Sequence, residues 1–439
     1  MNLLLITSTY PTPNRPRQGA FNSAMVQSLR SRHQVRVIAP IPWTQSTRTA
    51  LWNHLGEDIE GAIHPTFLYP PKVLRHHYGS FYWRSIRPAL CKLKSEGFRP
   101  DAVMGYWLHP DGEAALRAAS FFGVPGLVIS GGSDLLRLPS VSLRRKAITR
   151  VLRQADRIIV VSRDLQHRAV ALGASADRVH LVRRGVRQDL FFPTDRTAAR
   201  RVTGLPTDSI VLTWAGRLEP VKNPAMLLYA AKEWHRRWGD RLRVQMFGDG
   251  SMRSELLSLR QSLGLRETVE IRPSISQSDL ALRYQSSDLT VLTSHSEGVP
   301  NVLLESLACN IPFAATDVGG VSEIATTGID ALVGDGNIQQ LVESVIHQIE
   351  NAAAKKAIER RFVPQGLDRA ADQMEQLLLQ DLPTHRDRAL PTPLAVPSMT
   401  ESQITGSQIT GSQIPGSQIP GSQISGAPTA GPSWAEAIR

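Results

Sequence analysis

The sequence predicts an α/β protein made of two similar units and a low-complexity tail. Short apolar segments alternate with amphipathic helical segments through the first half of the chain, and the same alternation begins again near Ser209. Parallel strands require crossover helices that cover both faces of the sheet, so this alternation is typical of a parallel sheet between two helical layers. A length of 439 residues allows two such domains and an appendage.

The first unit contains a regular succession of predicted elements. Apolar segments predict strands at residues 3–7, 35–38, 102–104, 126–129 and 158–161. Helical periodicity predicts helices at residues 20–29, 112–122 and 143–155. Ser162 follows the last of these strands and Asp164 lies in the next turn, which is a typical helix start. We therefore expect a first domain over residues 1–195.

The second unit repeats this organisation. Strands are predicted at residues 210–213, 242–247, 289–292 and 313–315. Pro224 is expected to open a helix that reaches about residue 237, and Ser251 is expected to begin another. We place the linker between Asp189 and Thr207 and expect a second domain over residues 196–365.

The end of the chain differs in composition. Residues 402–421 repeat a five-residue unit, twice as Ser-Gln-Ile-Thr-Gly and twice as Ser-Gln-Ile-Pro-Gly. Such a segment offers too little apolar surface to offset the entropy of ordering the chain. We therefore expect residues 383–439 to form a disordered tail.

The net charge of +11 is unevenly distributed. Residues 1–190 carry 27 Lys and Arg against 12 Asp and Glu, whereas the rest of the chain carries 23 against 27. A basic first half predicts an anionic partner, which could be a membrane surface, a phosphorylated acceptor or a nucleic acid. A basic helical stretch from Arg144 to Arg157 carries much of this charge, but no known nucleic-acid-reading motif is present, so nucleic acid is not expected.

Cysteine content and hydropathy favour a cytoplasmic protein. The two cysteines, Cys91 and Cys309, do not form a disulfide framework. No apolar run approaches the roughly 18 residues that a membrane-spanning helix needs. The apolar start of the chain lacks a basic flank and meets Pro11 quickly, so we interpret it as a buried strand and not as a signal peptide.

Candidate binding residues follow the predicted strands of the second unit, where ligands of open α/β folds bind. Gly216 and Arg217 follow one strand, and Lys222 precedes the next helix. Two cations at a strand exit suit a diphosphate, although they could also be ordinary surface residues. The turn Gly248-Asp249-Gly250 could allow close approach of a nucleotide or could only connect two elements.

A third segment, residues 297–305, combines two carboxylates with a helix start. Pro300 fits the first helical position, where its missing N–H costs nothing. The free amides of the next residues then suit a phosphate; these residues are Asn301, Val302 and Leu303. Glu297 and Glu305 bracket this helix end and could accept hydrogen bonds from sugar hydroxyls. A glycine pair, Gly319 and Gly320, follows the next strand.

Taken in order, these segments resemble the family-4 retaining glycosyltransferases of GT-B fold. The resemblance is carried by Gly216-Arg217, Gly248-Asp249-Gly250, the E-x7-E pair Glu297 and Glu305, and Gly319-Gly320. It implies two Rossmann-like domains that face a cleft, with a C-terminal helix at residues 366–382 that crosses back to the first domain. It also implies a nucleotide-diphosphate sugar as donor and no metal or other cofactor.

The resemblance assigns roles to particular residues. Arg217, Lys222 and Glu297 become the candidate catalytic residues, and Glu305 is implied to meet the nucleotide ribose. Donor binding is implied for Gly19, Gly216, Gly248, Gly250, Pro300, Asn301, Val302, Leu303 and Glu305. The acceptor side is implied to include His109 and Asp134.

The expected activity is transfer of a hexose to a glycan or lipid-linked acceptor, in polysaccharide or cell-envelope glycan synthesis. The basic first half then suggests peripheral contact with the inner face of the membrane. An epimerase or phosphorylase of similar fold and a catalytically weak sugar-nucleotide-binding scaffold are the alternatives. Two departures from the family pattern matter here. Tyr106 stands where many relatives have a histidine, so the usual histidine of the cleft is missing unless the nearby His109 takes its role. Arg184 stands where relatives often have asparagine.

Overall fold

The computed structural model describes residues 1–12, 15, 18–45, 61–352 and 359–380. The predicted tail at residues 383–439 lies outside this part of the chain. The described residues form two parallel sheets with helices on their faces, which confirms the predicted α/β class. A further pair of short parallel strands is formed by Ile41–Pro42 and Thr66–Phe67.

The first sheet has the strand order β4-β2-β1-β6-β7-β8-β9, and every pairing in it is parallel. The strands of the first half are β1 (Asn2–Thr7), β2 (Gln34–Ile38), β3 (Ile41–Pro42), β4 (Ala62–Ile63), β5 (Thr66–Phe67), β6 (Ala102–Tyr106), β7 (Gly126–Ser130), β8 (Arg157–Val160) and β9 (Val179–Leu181). The helices are α1 (Ala20–Arg30), α2 (Tyr78–Ser95), α3 (Glu113–Phe122), α4 (Ser133–Leu136), α5 (Ser142–Gln154), α6 (Arg163–Ala171) and α7 (Arg196–Thr203).

The second sheet has the order β12-β11-β10-β13-β14-β15 and is also parallel. Its strands are β10 (Ile210–Ala215), β11 (Leu242–Phe247), β12 (Val269–Arg272), β13 (Leu289–Leu292), β14 (Phe313–Thr316) and β15 (Ala331–Val333). The remaining helices are α8 (Pro224–Trp238), α9 (Arg253–Ser262), α10 (Gln277–Gln285), α11 (Asn301–Ala308), α12 (Ile338–Glu350) and α13 (Leu367–Leu379).

The central strands are apolar along their whole length because both faces of each sheet are covered. In β1, every side chain from Leu3 to Ile6 is fully buried. Burying one leucine side chain contributes about 1.5–3 kcal/mol relative to leaving it exposed, so the sheet interiors dominate the stability of both units. The helix start at Ser162 is confirmed, since its Oγ accepts a hydrogen bond from the amide of Leu165 at 3.2 Å.

The segment between the two sheets differs from the prediction. We expected a linker from Asp189 to Thr207, but it contains α7, whose Arg200 donates to the Asp288 carboxylate at 2.6 Å. Arg200 is 4% exposed, so this ion pair fixes α7 to the second sheet. The helical content was missed because α7 is short and rich in arginine, which weakens its apolar periodicity.

Helix α13 returns to the first unit. It packs on α1, and Ala371, Met374 and Leu378 join the apolar core formed by β1 and β6. Residues from both units also share one continuous core, in which Val160 and Leu165 of the first unit lie with Leu303 of the second. The two units are therefore packed against each other along a common face.

Candidate active site

Sheet order brings the predicted binding segments of the second unit together. Strand β10 lies between β11 and β13, so the loops that leave these three strands are neighbours. The loop after β10 is bonded to the loop after β13: Thr293 Oγ1 donates to the Lys222 carbonyl at 2.8 Å. The His295 amide donates to the Val221 carbonyl at 2.9 Å. Segments 71 or more residues apart thus form one site.

Lys222 and Glu297 form an ion pair at the centre of this site. The Lys222 Nζ lies 2.5 Å from Glu297 Oε1, which also accepts a 2.6 Å hydrogen bond from Ser294 Oγ. The Glu297 side chain is 9% exposed and that of Lys222 is 21% exposed. Charge-assisted bonds of this kind are strong when water is largely excluded. Ser294 was not among the predicted site residues, because only the folded loop brings its hydroxyl next to the Glu297 carboxylate.

Arg217 lies in the same loop but is exposed. No hydrogen bond or ion pair of its side chain is present among the described residues, in contrast to Lys222. Its guanidinium is therefore available to a ligand at the mouth of the site, while Lys222 is already held by Glu297. The structure brings Lys222 and Glu297 together, whereas the described residues provide no partner for the Arg217 side chain.

The glycines of these loops have a backbone role that the sequence did not reveal. A Cβ on Gly248 would lie 1.8 Å from the Gly216 carbonyl oxygen, and one on Gly250 would lie 2.3 Å from the Leu218 oxygen. A Cβ on Gly216 would meet the Trp214 ring at 3.1 Å. These contacts show that Gly248 and Gly250 let two loops of the protein approach each other, and the approach of a nucleotide to the same turn stays a prediction.

The start of α11 differs in detail from the prediction. Pro300 is the residue before the helix and not its first residue, with φ −72° and ψ 121°. Its carbonyl accepts the amides of Leu303 at 3.1 Å and Leu304 at 3.3 Å. The Leu303 amide is therefore occupied, and Asn301 and Val302 provide the amides that no described residue accepts. These two N–H groups form the anion-attracting end of the helix.

Glu305 lies one turn into α11 and lines a cleft between the two units. The cleft is also lined by Phe21, Asn301, Val186 and Leu367. Burial raises the pKa of the Glu305 carboxyl to about 8. No described residue donates a hydrogen bond to this carboxyl, so its oxygens are available to a ligand in the cleft.

The raised pKa makes Glu305 a source of pH-dependent instability. Between pH 4.5 and 8 the unfolded chain ionises at this position while the folded protein keeps the proton, so stability falls as pH rises and levels off above 8. We expect Glu305→Gln to match the wild type near pH 4.5 and to gain at least about 1 kcal/mol on it by pH 8, since one pKa unit is worth about 1.4 kcal/mol. Urea unfolding at both pH values measures this difference. A constant difference across the range would contradict it.

The acceptor-side candidates of the first unit lie inside the fold. Asp134 is fully buried, and its carboxylate accepts hydrogen bonds from Ser130 Oγ at 2.8 Å and from the amides of Leu108 and Gly132 at 3.0 Å. It therefore braces the loop after β6 against the loop after β7. We expected it to face an acceptor, and the structure gives it this bracing position instead.

His109 is also enclosed. It is 2% exposed, and burial together with the nearby Arg144 guanidinium lowers its pKa to about 3. Its Nε2 lies 3.9 Å from Glu113 Oε2, beneath the surface of the first unit. A neutral, buried imidazole in this position does not take the role of the cleft histidine that relatives carry where this chain has Tyr106.

Gly19 precedes α1 with a φ of 65°, in the left-handed region that favours glycine. A Cβ here would lie 2.3 Å from the Thr9 carbonyl oxygen, so the loop after β1 could not fold as it does with another residue. This conformation places Phe21, two residues later, at the edge of the cleft.

Tyr106 and Arg184 lie together at the boundary between the units. The Arg184 Nη2 donates to the Tyr106 hydroxyl at 2.6 Å, and Nη1 donates to Asn301 Oδ1 at 2.7 Å. Tyr106 is 3% exposed, and burial raises the pKa of its phenol. The sequence showed both residues as departures from a pattern but gave no sign that they are in contact.

Glycines also form the contact between the units. A Cβ on Gly298 would lie 2.6 Å from the Gly131 carbonyl oxygen of the first unit. Gly320 donates its amide to the Gly298 carbonyl at 2.7 Å, and a Cβ on it would lie 2.7 Å from Ser162 Cβ. Glu323, which follows this glycine pair, accepts the amides of Arg163 and Asp164 at 3.0 Å. The segment at residues 319–323 therefore locks the two units together.

The described part of the chain offers neither a cluster of metal ligands nor a helix that could span a membrane. It contains no group of three or more His, Cys, Asp or Glu side chains arranged to hold a metal ion. None of its helices has both the length and the apolar character needed to cross a membrane.

Two Rossmann-like units whose strand ends face a shared cleft define the GT-B fold. Solved structures of this fold superpose on the chain. Anabaena HepE in complex with UDP has a TM-score of 0.64 at 18% identity and covers 86% of this chain and 99% of its own. Sucrose-phosphate synthase from Thermosynechococcus elongatus has a TM-score of 0.68 at 16% identity and covers 86% and 97%. The GT-B fold that the sequence predicted is thus confirmed.

The chain belongs to family 4 of the glycosyltransferases. The family model described as "Glycosyltransferase Family 4" matches residues 20–190, and "Glycosyl transferases group 1" matches residues 195–362. D-inositol 3-phosphate glycosyltransferases of Mycobacterium tuberculosis and Mycobacterium bovis are 33% identical over 223 residues, which is 50% of this chain. The chain matches about half the length of these curated relatives, 46%.

Proposed function

We propose that this protein transfers a sugar from a nucleotide-diphosphate donor to an acceptor hydroxyl with retention of configuration. The observation that carries the proposal is the Lys222–Glu297 ion pair beside the start of α11. It places a cation and a carboxylate near helix amides that no described residue accepts, at the carboxyl ends of neighbouring strands. Membership of family 4 supports the assignment. UDP is the first nucleotide to test, since HepE was solved with UDP and with UDP-glucose.

Each group has a role in this proposal that follows from its position. The amides of Asn301 and Val302, together with Arg217 and Lys222, would stabilise the charge that grows on the leaving diphosphate. Glu297, held by Lys222 and Ser294, would accept hydrogen bonds from hydroxyls of the transferred sugar. Glu305 would bond to the hydroxyls of the ribose, and it would accept through both carboxyl oxygens when it is ionised.

No described carboxylate is placed as a nucleophile in this scheme. The acceptor hydroxyl would attack the anomeric carbon on the face from which the diphosphate leaves, and a phosphate oxygen would take its proton. The C–O bond to the phosphate breaks as the bond to the acceptor forms, so the sugar keeps its configuration. This differs from glycosidases, which place two carboxyl groups across the scissile bond.

A thermal-shift screen with UDP-, GDP- and ADP-sugars tests the donor, because a ligand that binds only the folded state raises its melting temperature. At 100 times Kd the stabilisation is about 2.7 kcal/mol. The hit is then incubated with phosphorylated and unphosphorylated polyols and glycans, and the anomer of the product is read by NMR. An inverted anomer would contradict the proposed mechanism, and no shift with any donor would contradict the donor class.

We propose a glycan, lipid-linked or phosphorylated acceptor, and a place for the enzyme in polysaccharide or cell-envelope glycan synthesis. The basic first half of the chain supports an anionic acceptor or membrane, and the mycobacterial relatives are named for an inositol phosphate. Part of the basic stretch at 144–157 is exposed, namely Arg145, Lys146, Arg150 and Arg153, whereas Arg144 is 3% exposed. Val141 and Leu143 lie beside it and are 52% and 48% exposed. An apolar and basic surface of this kind suits an anionic bilayer.

We expect Arg145→Glu/Lys146→Glu to weaken co-sedimentation with anionic vesicles at least about tenfold, since each basic residue near such a surface contributes about 1 kcal/mol. The matched control is Arg236→Glu/Arg237→Glu, which reverses two exposed arginines of the second unit. Wild-type binding should weaken as the salt concentration rises from about 0.05 to about 0.5 M, because salt screens the attraction between exposed charges. Equal sedimentation with neutral and anionic lipid would contradict the membrane proposal.

A second candidate is a protein that binds a sugar nucleotide but transfers slowly. Tyr106 favours it, because this phenol is buried and bonded to Arg184, and His109 is also buried. The two candidates differ in turnover and not in donor binding. A thermal shift with a nucleotide sugar, combined with no transfer to any acceptor, would favour the second.

A further inference from the structure

Two of the side chains that depart from the family pattern, Tyr106 and Arg184, are bonded to each other. Tyr106 ends β6, and Arg184 follows β9. Besides the 2.6 Å bond between them, both contact Phe21: its ring centroid lies 5.4 Å from that of Tyr106 and 4.7 Å from the Arg184 guanidinium carbon. A phenol and a cation therefore both contact Phe21, which lines the cleft.

Arg184 reaches from the first unit into the second. Its Nη1 donates to Asn301 Oδ1 at 2.7 Å, and its Nη2 donates to the Gly131 carbonyl at 3.2 Å. Gly131 in turn packs on Gly298, as the 2.6 Å approach of a Gly298 Cβ to its oxygen shows. The guanidinium thus lies beside the loop at residues 298–301 that leads into α11.

The charge of Arg184 has no counter-ion among the described residues. Its three hydrogen-bond acceptors are a phenol, an amide and a peptide carbonyl, all neutral. The adjacent Arg183, by contrast, pairs with the Glu323 carboxylate at 3.0 Å. A part-buried cation without a counter-ion is unfavourable, and here it lies next to the positive end of a helix dipole. An anion bound at the start of α11 would interact favourably with the guanidinium and with the positive end of the helix dipole.

We propose that Arg184 is a third cation of the donor-phosphate site, supplied by the first unit, and that Tyr106 is the positioning residue that holds it there. The inference rests on the proposed function, since it takes the anion to be the donor diphosphate. A guanidinium has five N–H donors and three hydrogen bonds are made here, so donors remain for phosphate oxygens. Because Arg184 and Lys222 belong to different units, a bound diphosphate would join both sides of the cleft.

The experiment compares nucleoside diphosphates with the matching nucleosides by calorimetry. UDP, GDP and ADP are titrated into the wild type, and the tightest binder and its nucleoside are then used on the variants. We expect Arg184→Gln to weaken diphosphate binding about 10–100-fold, because hydrogen bonds to charged groups contribute about 1.5–3 kcal/mol. Nucleoside affinity should not change, and Arg184→Lys should restore part of the loss.

The chain offers a matched control in Arg183→Gln. This change also removes an arginine bond between the units, to Glu323, and should leave diphosphate affinity as in the wild type. Tyr106→Phe removes the hydroxyl that orients Arg184 and should weaken diphosphate binding less than Arg184→Gln. The double variant Tyr106→Phe/Arg184→Gln should be no weaker than Arg184→Gln alone, because both changes act through one guanidinium.

The outcomes separate this inference from the proposed function. If the wild type binds a nucleoside diphosphate and Arg184→Gln binds it equally well, the role of Arg184 is wrong while the function stands. Equal losses of diphosphate affinity in Arg183→Gln and Arg184→Gln would show that Arg184 acts only through the contact between the units. If the wild type binds none of the three diphosphates, the proposed donor class fails first and this inference with it.

Discussion

Replacing Lys222 by alanine should lower turnover about 10²–10³-fold, which corresponds to about 2.7–4 kcal/mol of transition-state stabilisation. Its ammonium lies in the loop after β10, where the diphosphate would leave. Negative charge on the diphosphate grows only as the sugar–phosphate bond breaks. The loss should therefore appear in kcat more than in KM. Steady-state kinetics with the donor identified by thermal shift measures both.

Lys222 also neutralises Glu297, so the single variant leaves a buried carboxylate whose one remaining partner among the described residues is Ser294. The double variant Lys222→Met/Glu297→Gln removes both charges and should recover stability without recovering turnover. Arg236→Ala, which breaks an exposed 2.8 Å ion pair with Glu233, is the control and should retain wild-type kinetics. Near-normal kcat in Lys222→Ala would show that this lysine does not meet the leaving group.

The second large effect is expected on stability, from Gly248→Ala. The added methyl group would lie 1.8 Å from the Gly216 carbonyl oxygen, so one of two loops must move. Overpacking of this kind costs about 1–3 kcal/mol, occasionally more. We expect the melting temperature of the unliganded protein to fall by several degrees, since about 1 kcal/mol shifts it by roughly 2–4 °C in a domain of this size.

Gly334→Ala is the matched control, because its Cβ would meet no atom closer than Gln340 Oε1 at 3.4 Å. If Gly248 serves only ligand approach, the unliganded Gly248→Ala protein should melt like the wild type and lose donor affinity alone. Calorimetric scans with and without nucleotide distinguish the two roles. An unchanged melting temperature would contradict the loop-packing role.

Long periodic elements were predictable from the chain itself. Strands at residues 242–247 and 289–292 occur as expected, as does the helix that Pro224 opens. Strands of two or three residues, such as β4 and β9, are too short to show a period. Helix α2 is not predicted from the sequence, because it contains Pro88 and proline normally ends a helix.

The sequence by itself determined the α/β class, the two-unit organisation, the family and the segments that carry Lys222, Glu297 and Glu305. These follow from local order along the chain, namely apolar period, turn residues and motif spacing. The tertiary structure alone decided the pairing of Lys222 with Glu297, the burial of His109 and Asp134, the loop-packing role of Gly248 and the bond between Tyr106 and Arg184. The last of these joins residues 78 positions apart. Such contacts depend on which strands are neighbours in the sheet and on how closely two backbones approach, and neither leaves a periodic trace in one sequence.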